Sequence, residues 1–297
     1  MSETETVLST AAGVLMIGLA ARDVFDALFH PEGRGTFARL ISRSVWWLFR
    51  LPGPGSRLFP LAGPLALMAV IATWAALLVV GWALIYWPHL PDSFSFAQGT
   101  AASGNFVESV HVSLETLTTL GVGDVTPAAA GLRLLVPLEG LLGFGLLSAS
   151  ISWLLLIYPV LSRRRSLAYE ITLLRDAENS GGTSFARLRH ETLESIFAEL
   201  TSRLIAVERD LVSFPISYYF AEQDARFSLA ASAPYLLELV ERGSAENQPE
   251  HLRLRAALLR RAVEDLARTV AARFHRDTAE TPEAALQAFA NDHLRAT

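Results

Sequence analysis

The chain has 297 residues, 51% of them hydrophobic, and its formal net charge is −5. That charge argues against a general nucleic-acid binder, and the absence of cysteine excludes disulfides, iron–sulfur clusters and thiol catalysis. The apolar runs all lie before about residue 160, and the rest is charged and helical in pattern, so a membrane part is expected to precede a soluble part.

Val7 to Ala21 is apolar, preceded by Glu3 and Glu5 and followed by Arg22, Asp23 and Asp26. The acidic start is unlike a signal peptide. Continued through Val24, Phe25, Leu28 and Phe29, the run is long enough for a first membrane helix within residues 1–30. A helix lying on the membrane surface is the alternative. Residues 31–60 hold Arg34, Arg39, Arg43, Arg50 and Arg57 against one acid, Glu32. Arg39, Arg43 and Arg50 share a helical face, with Trp46, Trp47 and Phe49 nearby, which is the pattern of an amphipathic interfacial helix. Its positive charge puts it on the cytosolic side. The arginines lack the every-third spacing inside an apolar span that a voltage sensor needs.

Pro64 to Trp87 is an uncharged apolar run ending in Trp82, Tyr86 and Trp87. At about 1.5 Å per residue it spans about 36 Å, enough to cross a bilayer outward. Pro88 to Gly104 reads as an outer loop. Asn105 to Thr118 is too short to cross, and its apolar residues Phe106, Val110, Leu114 and Leu117 recur at helical spacing, as in a re-entrant helix. The stretch after it is the most informative in the chain. Thr119-Leu120-Gly121-Val122-Gly123 puts two glycines at alternate positions behind the pair Thr118-Thr119. Glycine tolerates positive φ at little cost, so alternating handedness can turn successive carbonyls to one side, with the Thr119 hydroxyl in the same row. Repeated around an axis by several chains, such a row can replace the water shell of a cation.

This segment resembles the selectivity filter of potassium channels, whose usual form is T-V-G-Y-G-D. Thr119, Gly121, Gly123 and Asp124 match; Leu120 replaces the usual Val and Val122 the usual aromatic. Glu115 stands four residues before Thr119, like a glutamate that in some bacterial channels hydrogen-bonds the filter aspartate, here Asp124. The tryptophans of some bacterial pore helices are replaced by His111 and Val112. The resemblance covers roughly Pro64 to Pro159. It implies an all-α membrane protein with a potassium-channel-like pore domain over residues 61–160, assembled as a homotetramer. Potassium would bind the carbonyls of Thr119, Leu120, Gly121, Val122 and Gly123, as the permeant ion and not a cofactor.

Leu132 to Tyr158 is the second long span, closed by Arg163, Arg164 and Arg165, so its end also faces the cytosol. The resemblance makes Gly143 the position where an inner helix can bend; close helix packing is the equal alternative for Gly140, Gly143 and Gly145. Phe144, Ser148, Ile151 and Ser152 form a stripe below Gly143, suited to lining the cavity, although Ser148 and Ser152 can instead bond to their own helix. Glu139 is an acid inside an apolar span, and such groups usually face protein or water. It is expected behind the filter, bonded to the pore helix through Thr116 or Thr118. Pro159 is expected to end or bend the span.

Residues 161–297 read as a cytosolic helical domain, with helices at about 166–178, 184–212, 228–242, 249–275 and 282–294. Gly181-Gly182, Pro215, Gly243 and Pro249 punctuate them. Leu252, Leu254, Leu258, Leu259, Val263 and Leu266 form a stripe with arginines opposite. The domain is expected to gate, to assemble the tetramer or to recruit a cytosolic partner.

His30, His89, His111, His190, His251, His275 and His293 show no HExxH-type spacing, and there is no GxxxxGK[ST] loop. No catalytic constellation emerges, so an enzyme is not expected. The sequence therefore points to a passive, voltage-independent potassium channel. A weakly selective cation channel and a non-conducting sensor that keeps the pore fold are the alternatives.

Overall fold

The computed structural model describes residues 2–51, 58–99, 101–181, 187–274 and 281–294. Arg57, Gly182 and His275, singled out above, lie outside the described residues. The protein is an all-α membrane protein. Among the described residues, three helical stretches are long and apolar enough to cross a bilayer: Glu3–Leu28, Phe59–His89 and Leu132–Ser180. The chain divides into two compact units. One comprises residues 1–30, 34–41 and 67–155; the other comprises 31–33, 42–66 and 156–297.

In the first unit, α1 (Glu3–Leu28) is one unbroken helix. The Ser2 hydroxyl accepts from the Glu5 amide while the Glu5 carboxylate accepts from the Ser2 amide, so two orphan donors of the first turn are satisfied at once. Small residues let α1 approach α3 (Ala62–Tyr86): a Cβ on Gly13 would stand 2.4 Å from the Gly81 carbonyl oxygen. Ser9 donates to the Leu84 carbonyl at 2.6 Å. At the other end of α1, Asp23 is buried and accepts from Trp74 Nε1 at 2.8 Å. It also accepts from the backbone amides of Phe37 and Ala38, the first turn of α2 (Thr36–Arg50). A carboxylate suits that place because the first amides of a helix have no partners within it. The charge that made the first span look marginal is thus a joint between α1, α2 and α3.

After α3, a short strand β1 (Phe94–Phe96) precedes α4 (Phe106–Leu117), and β2 (Val125–Pro127) follows the candidate filter segment. The strands pair antiparallel, Phe94 with Pro127, Ser95 with Thr126 and Phe96 with Val125. The outer loop read from the sequence therefore carries a ladder that holds the far end of the filter segment. Beneath it, Trp82, Tyr86, Phe94, Val112, Val125 and Leu132 form one apolar cluster. The long helix α5 (Leu132–Ser180) follows; it does not end at Pro159, and the separate helix expected from residue 166 is its continuation.

The second unit is built from α6 (His190–Ser213), α7 (Leu229–Gly243), α8 (Glu250–Phe274) and α9 (Pro282–Leu294). Helix α8 packs against α6, α7 and α9, burying Leu252, Leu259, Val263 and Leu266 from the expected stripe. Leu254 and Leu258 are instead exposed, because they lie off the inward face. The three arginines that close the span are held by this unit. Arg163 makes a two-pronged pair with Asp210, both contacts at 2.7 Å, Arg165 pairs with Glu222 at 2.8 Å, and Arg164 donates to the carbonyls of Ser217 and Phe220.

The interfacial-helix expectation divides here. Trp47 is 64% exposed, as a membrane-surface aromatic would be, but Trp46 is only 4% exposed. Its ring lies 4.7 Å from Phe59, 5.3 Å from His293, 5.7 Å from Tyr219 and 6.1 Å from Tyr218. Arg50, four residues on, pairs with Asp292 at 2.9 Å. Residues read as a lipid-facing pattern are thus partly spent on protein packing.

Candidate functional site: the filter segment and its supports

Helix α4 starts on Asn105, whose side chain accepts from the Glu108 amide at 2.8 Å, and its cap at Thr118 lies immediately before the filter segment. The carbonyl end of a helix carries partial negative charge and favours a cation beyond it. Past Thr118 the amides of Thr119 and Leu120 turn back to the carbonyls of Thr116 and Glu115. The backbone then alternates in hand. Thr119 has φ 58°, Gly121 φ 59° and Gly123 φ 79°, and Leu120 and Val122 between them are not left-handed. Glycine adopts this region freely; Thr119 is the residue with a side chain that does so, which costs energy and marks a backbone held by its surroundings. The side chains of Leu120 and Val122 are 72% and 67% exposed.

Three supports fix the far end of this segment. The Glu115 carboxylate accepts from the Gly123 amide at 2.7 Å, and the Asp124 carbonyl accepts from the Ala97 amide at 2.8 Å. Val125 is buried in the apolar cluster with Val112 and Tyr86. Glu115 thus holds the Gly123 main chain rather than the Asp124 side chain that the resemblance implies. Asp124 Oδ1 is buried with no hydrogen-bond partner.

A second lock lies deeper. Glu139 is fully buried, accepting from the Tyr86 hydroxyl at 2.7 Å and from the Ser113 hydroxyl at 2.5 Å. One carboxylate thereby ties α3, α4 and α5 together. The expected partners Thr116 and Thr118 bond instead to the carbonyls of Val112 and Leu114, one turn back in their own helix. Sequence reasoning missed Ser113 and Tyr86. The available signal was that a buried acid needs two donors, and Ser113 is the pore-helix hydroxyl on the buried side with Val112 and Leu117.

Gly143 sits where α5 crosses the end of α4: a Cβ there would stand 1.9 Å from the Leu117 carbonyl oxygen. Close packing alone requires glycine at this position. Below it, Phe144 and Ile151 are exposed, while Ser148 and Ser152 donate to the carbonyls of Phe144 and Ser148, both at 2.9 Å. This exposed stripe is therefore apolar, with its hydroxyls turned to their own helix.

Residues 69–156, from within α3 to within α5, match the model of a family described as "Ion channel". Over these residues the chain is similar to that ion-channel family. The match encloses the pore helix, the filter segment and both of its locks. The chain is also 23% identical over 253 residues to the uncharacterized membrane protein YdjJ of Bacillus subtilis (strain 168), covering 83% of this chain and 74% of that protein. No solved structure matches. The matched residues include the alternating backbone at Thr119, Gly121 and Gly123.

Proposed function

We propose that the protein is a passive, potassium-selective channel that works as a homotetramer in the cell membrane, with residues 161–297 in the cytosol. The alternation of left-handed backbone at Thr119, Gly121 and Gly123, directly after a pore helix, carries this reading. Alternation lets the carbonyls of Thr119, Leu120, Gly121, Val122 and Gly123 point the same way, with the Thr119 hydroxyl below them. One chain offers one side of an ion, and four around an axis complete a cage that replaces its hydration shell. Several ions in line repel one another, so each site binds firmly enough to enter and loosely enough to leave. Glu115 and Glu139 hold the frame, Gly143 allows the inner helix its close approach, and Phe144, Ser148, Ile151 and Ser152 face the cavity.

A weakly selective cation channel is the second reading, and Val122 is the observation that favours it. An aliphatic side chain, 67% exposed, stands where potassium channels place an aromatic that packs behind the backbone. A less stiff filter would accept sodium more readily.

Rubidium uptake into proteoliposomes tests the choice. Uptake driven by a potassium gradient and unaffected by external sodium supports the selective channel, and uptake suppressed by sodium supports the weakly selective one. No uptake, in a preparation whose mass in detergent is that of four chains, contradicts both.

A further inference from the structure

Outside the ion path, the unit that holds the filter assembles a second set of ligands. His111 and Glu115 are one helical turn apart on α4 and so share a face, and the Gly123 amide bonded to Glu115 holds the adjacent Asp124 near them. One ligand atom from each residue, an imidazole nitrogen and two carboxylate oxygens, lies within 4.8 Å of the other two. Glu115 uses Oε1 on the Gly123 amide and keeps its other oxygen for a further partner. Asp124 Oδ1 is closed to solvent and accepts no hydrogen bond, an arrangement that is costly for a carboxylate oxygen.

We propose that His111, Glu115 and Asp124 form a binding site for a divalent transition metal of the zinc class, which clamps the pore helix to the residue that follows the filter. One imidazole and two carboxylates are a donor set that zinc accepts, with a fourth position left for water. Calcium and magnesium prefer all-oxygen shells, so the imidazole selects against them. With bonds of about 2.0–2.2 Å, tetrahedral ligands lie about 3.4 Å apart. Closing from the present separation needs shifts of about 1 Å, which side-chain rotation supplies because His111 is exposed. The metal would give the buried Asp124 oxygen its missing partner and offset the two carboxylate charges. It would also stiffen the filter mouth next to Val122, where the aromatic is lacking.

The proposal stands on the geometry of the site and not on ion selectivity, so its test needs no conduction. Metal-free full-length protein in detergent is titrated with cobalt(II), read by its visible absorption, and with zinc by calorimetry. One metal per chain is expected, with the strong absorption of a four-coordinate cobalt site. His111→Ala should weaken binding by at least about tenfold, and Asp124→Asn should do the same. A double His190→Ala, His251→Ala variant, which alters a separate exposed histidine pair on α6 and α8, should bind as the wild type does. Equal binding by the wild type and His111→Ala, or no saturable binding in either, overturns the proposal.

Discussion

The pore unit and the helical unit each bury a carboxylate, and they hold it differently. Glu139 meets only neutral donors among the described residues, the hydroxyls of Tyr86 and Ser113, on two different helices. Asp292 meets the Tyr218 hydroxyl at 2.8 Å and also the Arg50 guanidinium at 2.9 Å. The first arrangement is a tie with nothing to spare, and it fixes the helices that flank the candidate filter segment. The second is an electrostatic network inside aromatic packing, where Tyr218 lies stacked on Phe274 at 3.9 Å and edge-on to His293. Losing one partner should therefore cost much more in the pore unit than in the helical unit.

Replacing Glu139 by Leu gives the largest effect. It leaves two hydroxyls buried without an acceptor, at about 1–3 kcal/mol each, so about 2–6 kcal/mol in all. Thermal unfolding in detergent should fall steeply for this variant, and an unchanged midpoint would mean that the tie holds nothing.

The helical unit responds to protons instead. Burial pushes His293 down from the usual imidazole value to about 4, although carbonyl oxygens lie near both ring nitrogens, Tyr218 at 2.8 Å and Phe289 at 3.1 Å; the neutral ring donates to one of them, and only the protonated ring would donate to both. The unfolded chain, with an ordinary histidine near 6.5, binds the proton more readily. The stability contributed is therefore fully present above that value, lost progressively as pH falls towards 4, and gone below. The loss amounts to about 3 kcal/mol. A melting profile of the helical unit across this range should show the drop, and His293→Phe should flatten it.

Gly143→Ala comes next. A methyl group against the Leu117 carbonyl should cost about 1–3 kcal/mol through overpacking. If Gly143 acts mainly as a bend in the inner helix, the variant will instead keep its melting midpoint and change its open probability. Smallest is Arg50→Ala: its pair with Asp292 is partly solvent-exposed, so the change should cost about 1 kcal/mol or less. Side-by-side melting with Glu139→Leu checks the comparison, which a larger loss from Arg50→Ala would reverse.

How much of this was legible in the sequence follows from range. The alternating glycines and the spacing from Glu115 to Asp124 are local, and local backbone preference carries them into the structure. The burial of Glu139 was legible because an acid in an apolar run must face protein. Its donors were not, because Tyr86 is 53 residues away and reads equally well as an interfacial aromatic. Asp23 looked like an interruption of the first span, yet it serves Trp74, 51 residues on. Trp46 looked like a membrane anchor, and the cage that buries it comes from Tyr218, Tyr219 and His293, far along the chain. At Pro159 the expected end of the helix does not occur, since the flanking turns of α5 carry it across one missing donor.

The central claim is that backbone carbonyls from Thr119 to Gly123 select potassium without the filter aromatic. The most direct test is the reversal potential of the purified protein in a planar bilayer, with potassium on one side and sodium on the other. The account predicts a potential close to the potassium equilibrium value, unchanged when sodium is raised. A potential near zero with sustained current would contradict it.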